Sequence, residues 1–320
     1  MTEQNRIEKG LWWDRAWTLV EGCTPMDRSC DHCWSAEQAY MRGHQRNERI
    51  RSRYAGLTDQ DGHWTGEVRV QWDALELPLR VRKETTWAIW NDLFHEDVPD
   101  EFIQRALWRM SGHNGECRHH TFVILTKRSQ RMREFILRMC PEFDIQFPNV
   151  VLGVSVPGDG YQGRIYDLVR TPAAKRVVSY EPALGPVDIM RYLCTIQDAP
   201  HFDAKIQPRI DGVIAGGETG LDARAAPPAW FRSVRDQCIE TGVHFFFKSW
   251  GEWAPRGEHT KDIEKVVTID MARVGKARAG RLLDGRTWDQ LAWQDAAPMD
   301  QDCMRVMTRE EHRLLHEGDR

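Results

Sequence analysis

Residues 121–140, TFVILTKRSQRMREFILRMC, combine a short apolar, β-branched run with a segment whose apolar residues recur at helical spacing. The first part, TFVILTK, is typical of a buried strand, and SQRMREFILRMC is typical of an amphipathic helix packed on a sheet. DEFIQRALWRMSG and PPAWFRSVRDQCIETG have the same helical spacing and also lie between apolar runs. A strand that alternates with a helix predicts parallel β-α-β units.

Six further apolar runs share the character of TFVILTK. They are TLVEG (18–22), TTWAIWN (85–91), NVVLGVSV (149–156), KRVVSY (175–180), DGVIAGG (211–217) and GVHFFFK (242–248). Nearly continuous apolar strands indicate that both faces of the sheet are covered. We therefore predict an α/β fold whose core is a complete or partial parallel (β/α) barrel. A doubly wound open sheet is the second candidate architecture.

The chain of 320 residues suits one such domain, which we expect to span residues 1–289. Residues 35–84 interrupt the alternation and are predicted to be an insertion after the first strand, able to form a lid or a partner surface. Within it, EVRVQW alternates like an exposed strand. The residues after about 250 are rich in charge and glycine, and residues 290–320 are expected to form an irregular C-terminal tail.

Composition narrows the class of protein. The net charge is −4, from 44 basic and 48 acidic residues, so the chain as a whole is not drawn to nucleic acid. No apolar run approaches the roughly 20 residues that cross a bilayer, and the N-terminus lacks the apolar stretch of a signal peptide. We expect a cytoplasmic protein without a membrane partner, whose thiols stay reduced.

Three cysteines lie close together in EGCTPMDRSCDHCW (21–34), namely Cys23, Cys30 and Cys33. Three thiolates leave one coordination position open, which favours an iron–sulfur cluster with one iron free. They could also bind zinc with His32 or His44 as the fourth ligand. The segment Cys117, His119 and His120 could contribute to a split zinc site. The remaining cysteines are expected to be free: Cys117, Cys140, Cys194, Cys238 and Cys303.

Polar residues and glycines follow the predicted strands where the functional residues of parallel α/β folds gather. The set after the second to seventh strands consists of Asn91, Asp92, Thr126, Lys127, Ser155, Glu181, Gly216, Gly217, Glu218 and Lys248. Because parallel strands end at one edge, these residues are predicted to share one mouth with the cysteines.

The stretch WDRAWTLVEGCTPMDRSCDHCW resembles the opening of a phage and prophage protein family of formerly unknown function. That family looks like a divergent branch of the radical S-adenosylmethionine (SAM) superfamily. The resemblance continues through WTGEVRVQWDALELPLRVRK, IWNDLFHEDVPDEFI, FVILTKR, VVLGVSV, RVVSYEPALGPVD, DGVIAGGETG, FFFKSWGEW and GKARAGRLLDGRTWD, covering roughly residues 12 to 289. The cysteine spacing here is C-x₆-C-x₂-C, where radical SAM enzymes usually have C-x₃-C-x₂-C.

The resemblance implies a barrel of the radical SAM type in which Cys23, Cys30 and Cys33 bind a [4Fe–4S] cluster. SAM would chelate the fourth iron, and its one-electron cleavage would generate a 5′-deoxyadenosyl radical. The implied cofactor-binding residues are Asn91, Asp92, Ser155, Gly216, Gly217 and Glu218. The implied catalytic residues are Lys127, Glu181 and Lys248.

The viral setting of the family suggests a substrate. We expect DNA carrying modified thymidine, for example N-linked glycinyl-thymidine isomerised to its C-linked form, which would help a viral genome to evade host restriction. The host cytoplasm would be the location, and a flavodoxin or ferredoxin the electron donor. RNA, a free nucleotide or a peptide are alternative substrates. A zinc-stabilised binding module without catalysis, or a cluster that senses redox state without SAM, are alternative functions.

Two basic stretches could contact phosphates. The first, MRGHQRNERIRSRY (41–54), lies in the predicted insertion, and the second, ARVGKARAGRLLDGR (272–286), lies near the C-terminus. The alternative for each is a solvated face without a partner. The exposed tryptophans among the 14 in the chain could stack on bases.

Overall fold

The structure is a computed structural model of the chain. It describes residues 3–111, 116–139, 147–193, 210–256 and 271–294, with side chains from residue 6 onward. The predicted tail at 290–320 therefore falls mostly outside the described residues, as do Cys140, Cys194 and Cys303. Within the described ranges, no helix has the length and the apolar character needed to cross a bilayer.

The described residues form strands, α-helices and short 3₁₀ helices that largely alternate along the chain. The strands are β1 Arg15–Thr18, β2 Val20–Glu21, β3 Arg69–Val70, β4 Thr86–Trp90, β5 Thr121–Thr126, β6 Val150–Ser155, β7 Lys175–Tyr180, β8 Gly212–Gly216, β9 His244–Ser249, β10 Trp253–Pro255 and β11 Met271–Arg273. The α-helices are α1 Glu3–Glu8, α2 Trp34–Gly43, α3 Glu48–Tyr54, α4 Asp100–Ser111, α5 Ser129–Met139, α6 Gly163–Val169, α7 Met190–Leu193, α8 Pro228–Thr241 and α9 Lys276–Ala279. The 3₁₀ helices are Arg28–Cys30, Trp72–Glu76 and Pro78–Arg80.

Seven strands form one parallel sheet in the order β1-β4-β5-β6-β7-β8-β9, so each strand of the sheet lies beside the next along the chain. The sheet is curled into a half-barrel. This confirms the predicted α/β fold with a partial parallel barrel. The strand order contains no reversal, which separates it from the doubly wound alternative.

The strand predictions agree closely with the observed bounds. The run KRVVSY coincides with β7, and TTWAIWN, TFVILTK and NVVLGVSV each contain the observed strand. The first run was misplaced, because TLVEG spans a break between β1 and β2. Leu19 separates the two strands. β2 leaves the main sheet to pair antiparallel with β3.

The two faces of the half-barrel carry separate apolar cores. On the convex side, α4, α5 and α8 pack their apolar stripes on the sheet, as the helical spacing predicts. α4, for example, buries Phe102, Ile103, Ala106, Leu107 and Met110. Burial of each large side chain contributes roughly 1.5–3 kcal/mol.

The concave side is filled by the alternate residues of the same strands together with both ends of the described chain. Its core consists of Ile7, Trp12, Ala88, Val123, Val151, Val177, Ile214, Phe246, Leu291 and Ala292. The closeness of this packing is visible at Gly212, where an added Cβ would lie 2.9 Å from Cβ of Ala292. The concave face is therefore a packed core on its inner part.

The segment between β2 and β4 matches the predicted insertion in position. It contains α2, α3 and two 3₁₀ helices, and its only strand among the described residues, β3, is much shorter than EVRVQW. The insertion is anchored by the β2–β3 pairing and by an ion pair from Arg53 to the buried Glu21. It begins directly after Cys33, so it starts at the cysteine loop.

Candidate metal centre

The cysteine loop, residues 22–33, connects β2 to α2 at the carboxyl edge of the sheet. Cys23 follows β2, Cys30 ends a 3₁₀ helix, and Cys33 is the N-cap residue of α2, its carbonyl accepting a hydrogen bond from Glu37 N at 3.1 Å. All three cysteines are half-buried and free. The predicted metal ligands therefore lie on one loop at the expected edge.

The 3₁₀ turn of this loop is capped and then tied to the sheet. The Asp27 carboxylate accepts hydrogen bonds from Ser29 N (2.7 Å) and Ser29 Oγ. Arg164 of α6 donates to the same carboxylate and, through Nη1, to the carbonyl of Ser155 at 2.8 Å. Burial opposes the charge on Asp27, but Ser29 and Arg164 hold its pKa below the usual value. The loop is thereby fixed to the end of β6.

A second arginine ties the loop to the end of β8. Arg224 donates to the carbonyl of Arg28 (2.7 Å) and to the carboxylate of Asp31 (3.0 Å). The other side of its guanidinium binds the buried Glu218. His32 Nδ1 lies 3.4 Å from the same Glu218 carboxylate. Glu218, predicted to bind a cofactor, thus contacts the cysteine loop through these two residues.

A third arginine contacts a cysteine directly. Arg128, which follows β5, is buried, and its Nη1 lies 3.9 Å from Cys23 Sγ and 3.1 Å from Asp92 Oδ2. Its Nη2 donates to Thr24 Oγ1 (2.6 Å) and its Nε to Glu96 (2.7 Å). Burial opposes the charge of Arg128, yet Asp92 and Glu96 raise its pKa, so the guanidinium stays positive.

Asp92 lies inside this network, fully engaged with protein donors. Besides Arg128, its carboxylate accepts hydrogen bonds from Thr126 Oγ1 (2.6 Å), Phe94 N (3.1 Å) and Lys127 N (3.1 Å). These bonds satisfy a buried charge that would otherwise be costly. The predicted cofactor-binding residue Asp92 is therefore brought to the cysteine loop, where it holds Arg128 and the β5 end.

His95 completes the network beneath Thr24. It is buried, and its Nδ1 accepts a hydrogen bond from Asp97 N at 3.1 Å, which assigns the proton to Nε2. Nε2 then faces Thr24 Oγ1 at 2.8 Å. Burial and the nearby Arg128 lower the pKa of His95, so the neutral tautomer is stable at neutral pH.

Cys23 is the cysteine of the loop that faces buried charges. Burial, followed by the negative charge of Asp92, raises the pKa of its thiol to about 11, while Arg128 acts in the opposite direction and Cys33 adds to the increase. A thiol in this setting is protonated in the metal-free protein. A coordinated metal ion would deprotonate it.

The spacing of the three sulfurs bears on the choice of metal. Within the ranges that the structure describes, Asp59, Asp61 and His63 are the only trio of His, Cys, Asp or Glu whose ligand atoms all lie within 4.8 Å of one another. At least one pair of sulfurs in the cysteine loop therefore lies more than 4.8 Å apart. A closed tetrahedral zinc site places its sulfurs about 3.8 Å apart, from a Zn–S bond of about 2.3 Å.

Asn91 supports the loop from below. It has a positive φ of 58°, a conformation that asparagine tolerates better than most residues. Its Nδ2 donates to the carbonyl of Val20 (2.8 Å), and its Oδ1 accepts from Ser35 Oγ (2.6 Å). The predicted cofactor-binding side chain therefore joins β2 to the start of α2, directly after Cys33.

The other strand-end residues form the rim of the concave face. Every second residue of a strand faces the same side of the sheet. Val177 and Phe246 face the concave side, so Glu181 and Lys248, which lie four and two residues later, face it too. Lys248 Nζ lies 3.3 Å from Glu181 Oε1 and 5.4 Å from the ring centre of Trp13. Both charged side chains are half-buried, and Lys276 lies close enough to interact with both charges.

Ser155 and the two glycines lie around this pair. Ser155 ends β6 and faces the same concave side as Val151, four residues earlier. A Cβ at Gly216 would lie 2.9 Å from Glu181 Oε1. Gly217 has a different surrounding, because a Cβ there would lie 1.9 Å from the carbonyl oxygen of Trp250. Gly216 is thus part of the rim, whereas Gly217 is required by backbone packing.

Lys127 lies apart from the Glu181–Lys248 pair. It is half-buried and lines an open groove of about 650 Å³ on the outer side of the cysteine loop, together with Met26, Arg131 and Tyr161. Of the three predicted catalytic residues, the structure therefore brings Glu181 and Lys248 into contact and leaves Lys127 elsewhere.

The alternative zinc ligands are engaged in other contacts. His44 Nδ1 is 2.8 Å from the carbonyl of Tyr40. Cys117 is buried, and His119 and His120 each have Nε2 near a backbone carbonyl, of Val81 and Pro78 respectively. These last three residues precede β5 and so lie at the amino edge of the sheet, opposite the cysteine loop. Cys238 is buried as expected.

Most arginines of the two basic stretches make internal contacts. Arg42 stacks over Tyr54 and Trp90, and Arg281 binds the carbonyl of Phe247 and the carboxylate of Asp289. Further internal contacts are made by Arg51, Arg53, Arg273 and Arg286. Exposed basic side chains remain at Arg46, Arg49, Lys276 and Arg278.

Sequence reasoning missed the arginines that hold the loop. Arg128, Arg164 and Arg224 each follow a strand of the sheet, as many other charged residues do. For Arg128 a signal exists, because it directly follows Lys127 at the end of a predicted buried strand. Arg164 and Arg224 lie farther from the strand ends, and no local pattern marks them.

Comparison with known proteins identifies one relationship. A family model described as "Protein of unknown function (DUF5131)" matches residues 5–292, which is most of the chain, so the chain belongs to that family. Neither the curated proteins nor the solved structures contain a match.

Proposed function

For this member of the DUF5131 family, we propose the activity of a radical SAM enzyme whose [4Fe–4S] cluster is held by Cys23, Cys30 and Cys33. The observation that carries the proposal is the cysteine loop: three thiols on one segment, fixed by arginines from three other strand ends. The loop lies at the carboxyl edge of a parallel half-barrel, where α/β barrels place their chemistry.

The donor set fits an iron–sulfur cluster better than structural zinc. In a cluster each thiolate binds a different iron, so the three sulfurs lie farther apart than around one zinc ion. At least one pair of the three sulfurs lies more than 4.8 Å apart, which suits separate irons better than one shared zinc ion.

When bound, such a cluster supplies an electron to SAM and so yields a 5′-deoxyadenosyl radical that takes hydrogen from an unactivated carbon. The chain's own residues have three tasks. The arginines keep the ligands in place. Trp13 and the packed concave core exclude water from the rim. Glu181 and Lys248 offer a carboxylate and an ammonium group to bind and orient a polar ligand at the concave rim.

The first experiment is metal analysis after anaerobic purification and reconstitution. We expect about four irons and four sulfides per chain, with 5′-deoxyadenosine formed from SAM and dithionite. Cys30→Ala should lose both, whereas Cys238→Ala, a change at a buried cysteine in α8, should keep both. One tightly bound zinc with intact SAM would overturn the proposal. Iron and sulfide without 5′-deoxyadenosine would indicate a cluster that senses redox state.

For the substrate we propose DNA that carries modified thymidine, with a flavodoxin or ferredoxin as the electron donor. Support comes from the exposed Trp34, which directly follows Cys33, and from Arg46 and Arg49, which are exposed on the insertion that begins there. An exposed aromatic ring and exposed basic side chains on one segment suit a nucleic-acid strand.

This part is tested by DNA binding at several salt concentrations. Arg46→Gln combined with Arg49→Gln should weaken binding to all sequences and reduce the slope against log salt by about 2. Arg105→Gln, at an exposed arginine on α4, is the control. An unchanged slope would show that the insertion is not part of the DNA-binding surface. Turnover of RNA or a peptide, with none of DNA, would contradict the proposed substrate.

A further inference from the structure

Arg128 is a buried cation beside a candidate metal ligand. Its Nη1 lies between two atoms, Cys23 Sγ at 3.9 Å and Asp92 Oδ2 at 3.1 Å. Its side chain is only 3% exposed. A positive charge buried this deeply requires compensation, which Asp92 and Glu96 supply. The Asp92 carboxylate also accepts hydrogen bonds from Thr126 and Lys127. Pairing with Asp92 therefore does not by itself explain why the guanidinium lies against Cys23.

Every nitrogen of the guanidinium is used, which fixes its plane. Nε binds Glu96, Nη1 faces Cys23 and Asp92, and Nη2 binds Thr24 through the hydroxyl and the carbonyl. Thr24 is the residue directly after Cys23, and His95 holds its hydroxyl from the other side. The position of Cys23 is therefore set by Arg128 through both its sulfur and its neighbour.

The charges that face Cys23 act in opposite directions. Asp92 disfavours negative charge on the sulfur, and Arg128, which lies between them, favours it. Without Arg128 the sulfur would face a buried carboxylate with no cation in between. The same two charges would act on any electron added near Cys23.

We propose that Arg128 is a positioning residue that holds Cys23 as a cluster ligand and raises the reduction potential of the bound cluster. This inference rests on the proposed function. Hydrogen bonds to ligating sulfurs and nearby positive charge stabilise the reduced state of an iron–sulfur centre. Reduction adds one electron from a one-electron donor and transfers no atom, so the effect is electrostatic.

The test is a redox titration of the reconstituted protein with dithionite and mediators, followed by electron paramagnetic resonance. Arg128→Gln should shift the midpoint potential to a more negative value. Asp92→Asn should shift it to a more positive value, because it removes the opposing charge. Arg164→Gln is the matched control. Arg164 holds the same loop through Asp27 but does not contact a sulfur. The midpoint potential of the cluster in Arg164→Gln should therefore equal that in the wild type.

Opposite shifts for Arg128→Gln and Asp92→Asn, with none for Arg164→Gln, support the inference. Equal shifts in Arg128→Gln and Arg164→Gln, or none in either, overturn it, because a merely structural role predicts no difference between the two arginines. Should Arg128→Gln fail to fold, Asp92→Asn decides by itself, and a potential that does not rise overturns the inference. If the wild-type protein takes up no cluster, the proposed function fails together with this inference. If the cluster binds but the potentials do not shift as expected, only this inference fails.

Discussion

Arg224 and Glu218 form a bidentate ion pair, with Nε 2.8 Å from Oε2 and Nη2 2.6 Å from Oε1. Glu218 also accepts a hydrogen bond from Arg224 N at 2.7 Å, and it is only 3% exposed. The geometry fixes the guanidinium so that Nη2 also donates to the carbonyl of Arg28 and Nη1 donates to the carboxylate of Asp31. This one pair therefore joins the loop after β8 to the cysteine loop.

Glu218→Gln should lower the free energy of unfolding of the metal-free protein by about 1–3 kcal/mol, because it leaves a partly buried guanidinium without its carboxylate. Urea denaturation measures the change. Glu101→Gln breaks an exposed ion pair with Arg105 on α4 and should change the stability by less than about 0.5 kcal/mol. Equal effects of the two variants would contradict the role given to Glu218.

The contribution of Glu218 should also depend on pH. Burial opposes its charge, but Arg224 and His32 hold the pKa of Glu218 below its ordinary value of 4.5. A group whose folded-state pKa is lowered stabilises the fold above its unfolded-state pKa, and this stabilisation is lost as the pH falls through the folded-state value. The difference in unfolding free energy between wild type and Glu218→Gln should therefore be largest near neutral pH and shrink below about pH 4.5. A difference in unfolding free energy that stays constant down to pH 3 would contradict the lowered pKa of Glu218.

The sheet was predictable because its determinants are local. β7 contains two adjacent valines and a tyrosine, and α8 is bounded by Pro228 at its start and by Gly242, with φ of 68°, at its end. Each of these signals lies within a few residues of the element that it specifies. The early break between β1 and β2 was missed, because the β2–β3 pairing joins residues about 50 positions apart.

The surroundings of the cysteines were less predictable, because their partners are distant in sequence. Arg224 and Arg28 are 196 residues apart, and Arg128 and Cys23 are 105 apart. Nothing in a single sequence distinguishes these arginines from those on solvated faces. The cysteine loop, in contrast, could be recognised because its three thiols lie within one short segment, a pattern typical of metal binding.

Gly217 provides a test of packing against ligand binding. Gly217→Ala should strongly destabilise the protein, because the added Cβ would lie 1.9 Å from the Trp250 carbonyl oxygen and 2.6 Å from its carbon. Gly163→Ala adds the same methyl group at the start of α6, where no atom lies within 4 Å, and should be neutral or stabilise by about 0.5 kcal/mol. Thermal unfolding of the metal-free variants measures both. A Gly217→Ala protein with wild-type stability would contradict the packing role.

The Glu181–Lys248 pair should matter for activity more than for stability. Lys248→Met removes the ammonium group from the rim, and we expect 5′-deoxyadenosine formation to fall at least about tenfold through loss of ligand orientation. Glu181→Gln should act alike, and the double variant should be no worse than either single variant, because the two residues act as a unit. Thermal unfolding measures separately the stability that each single variant loses by leaving one charge unpaired, and the double variant should lose less than their sum.

Lys175→Met is the matched control for this pair. Lys175 lies 3.4 Å from Asp211 and is buried to a similar degree, but it begins β7 and so lies at the opposite edge of the sheet. Its loss should leave the rate of SAM cleavage unchanged. If Lys175→Met and Lys248→Met reduced the rate equally, the effect would be one of general stability, and the concave rim would lose its assignment as the ligand-binding surface.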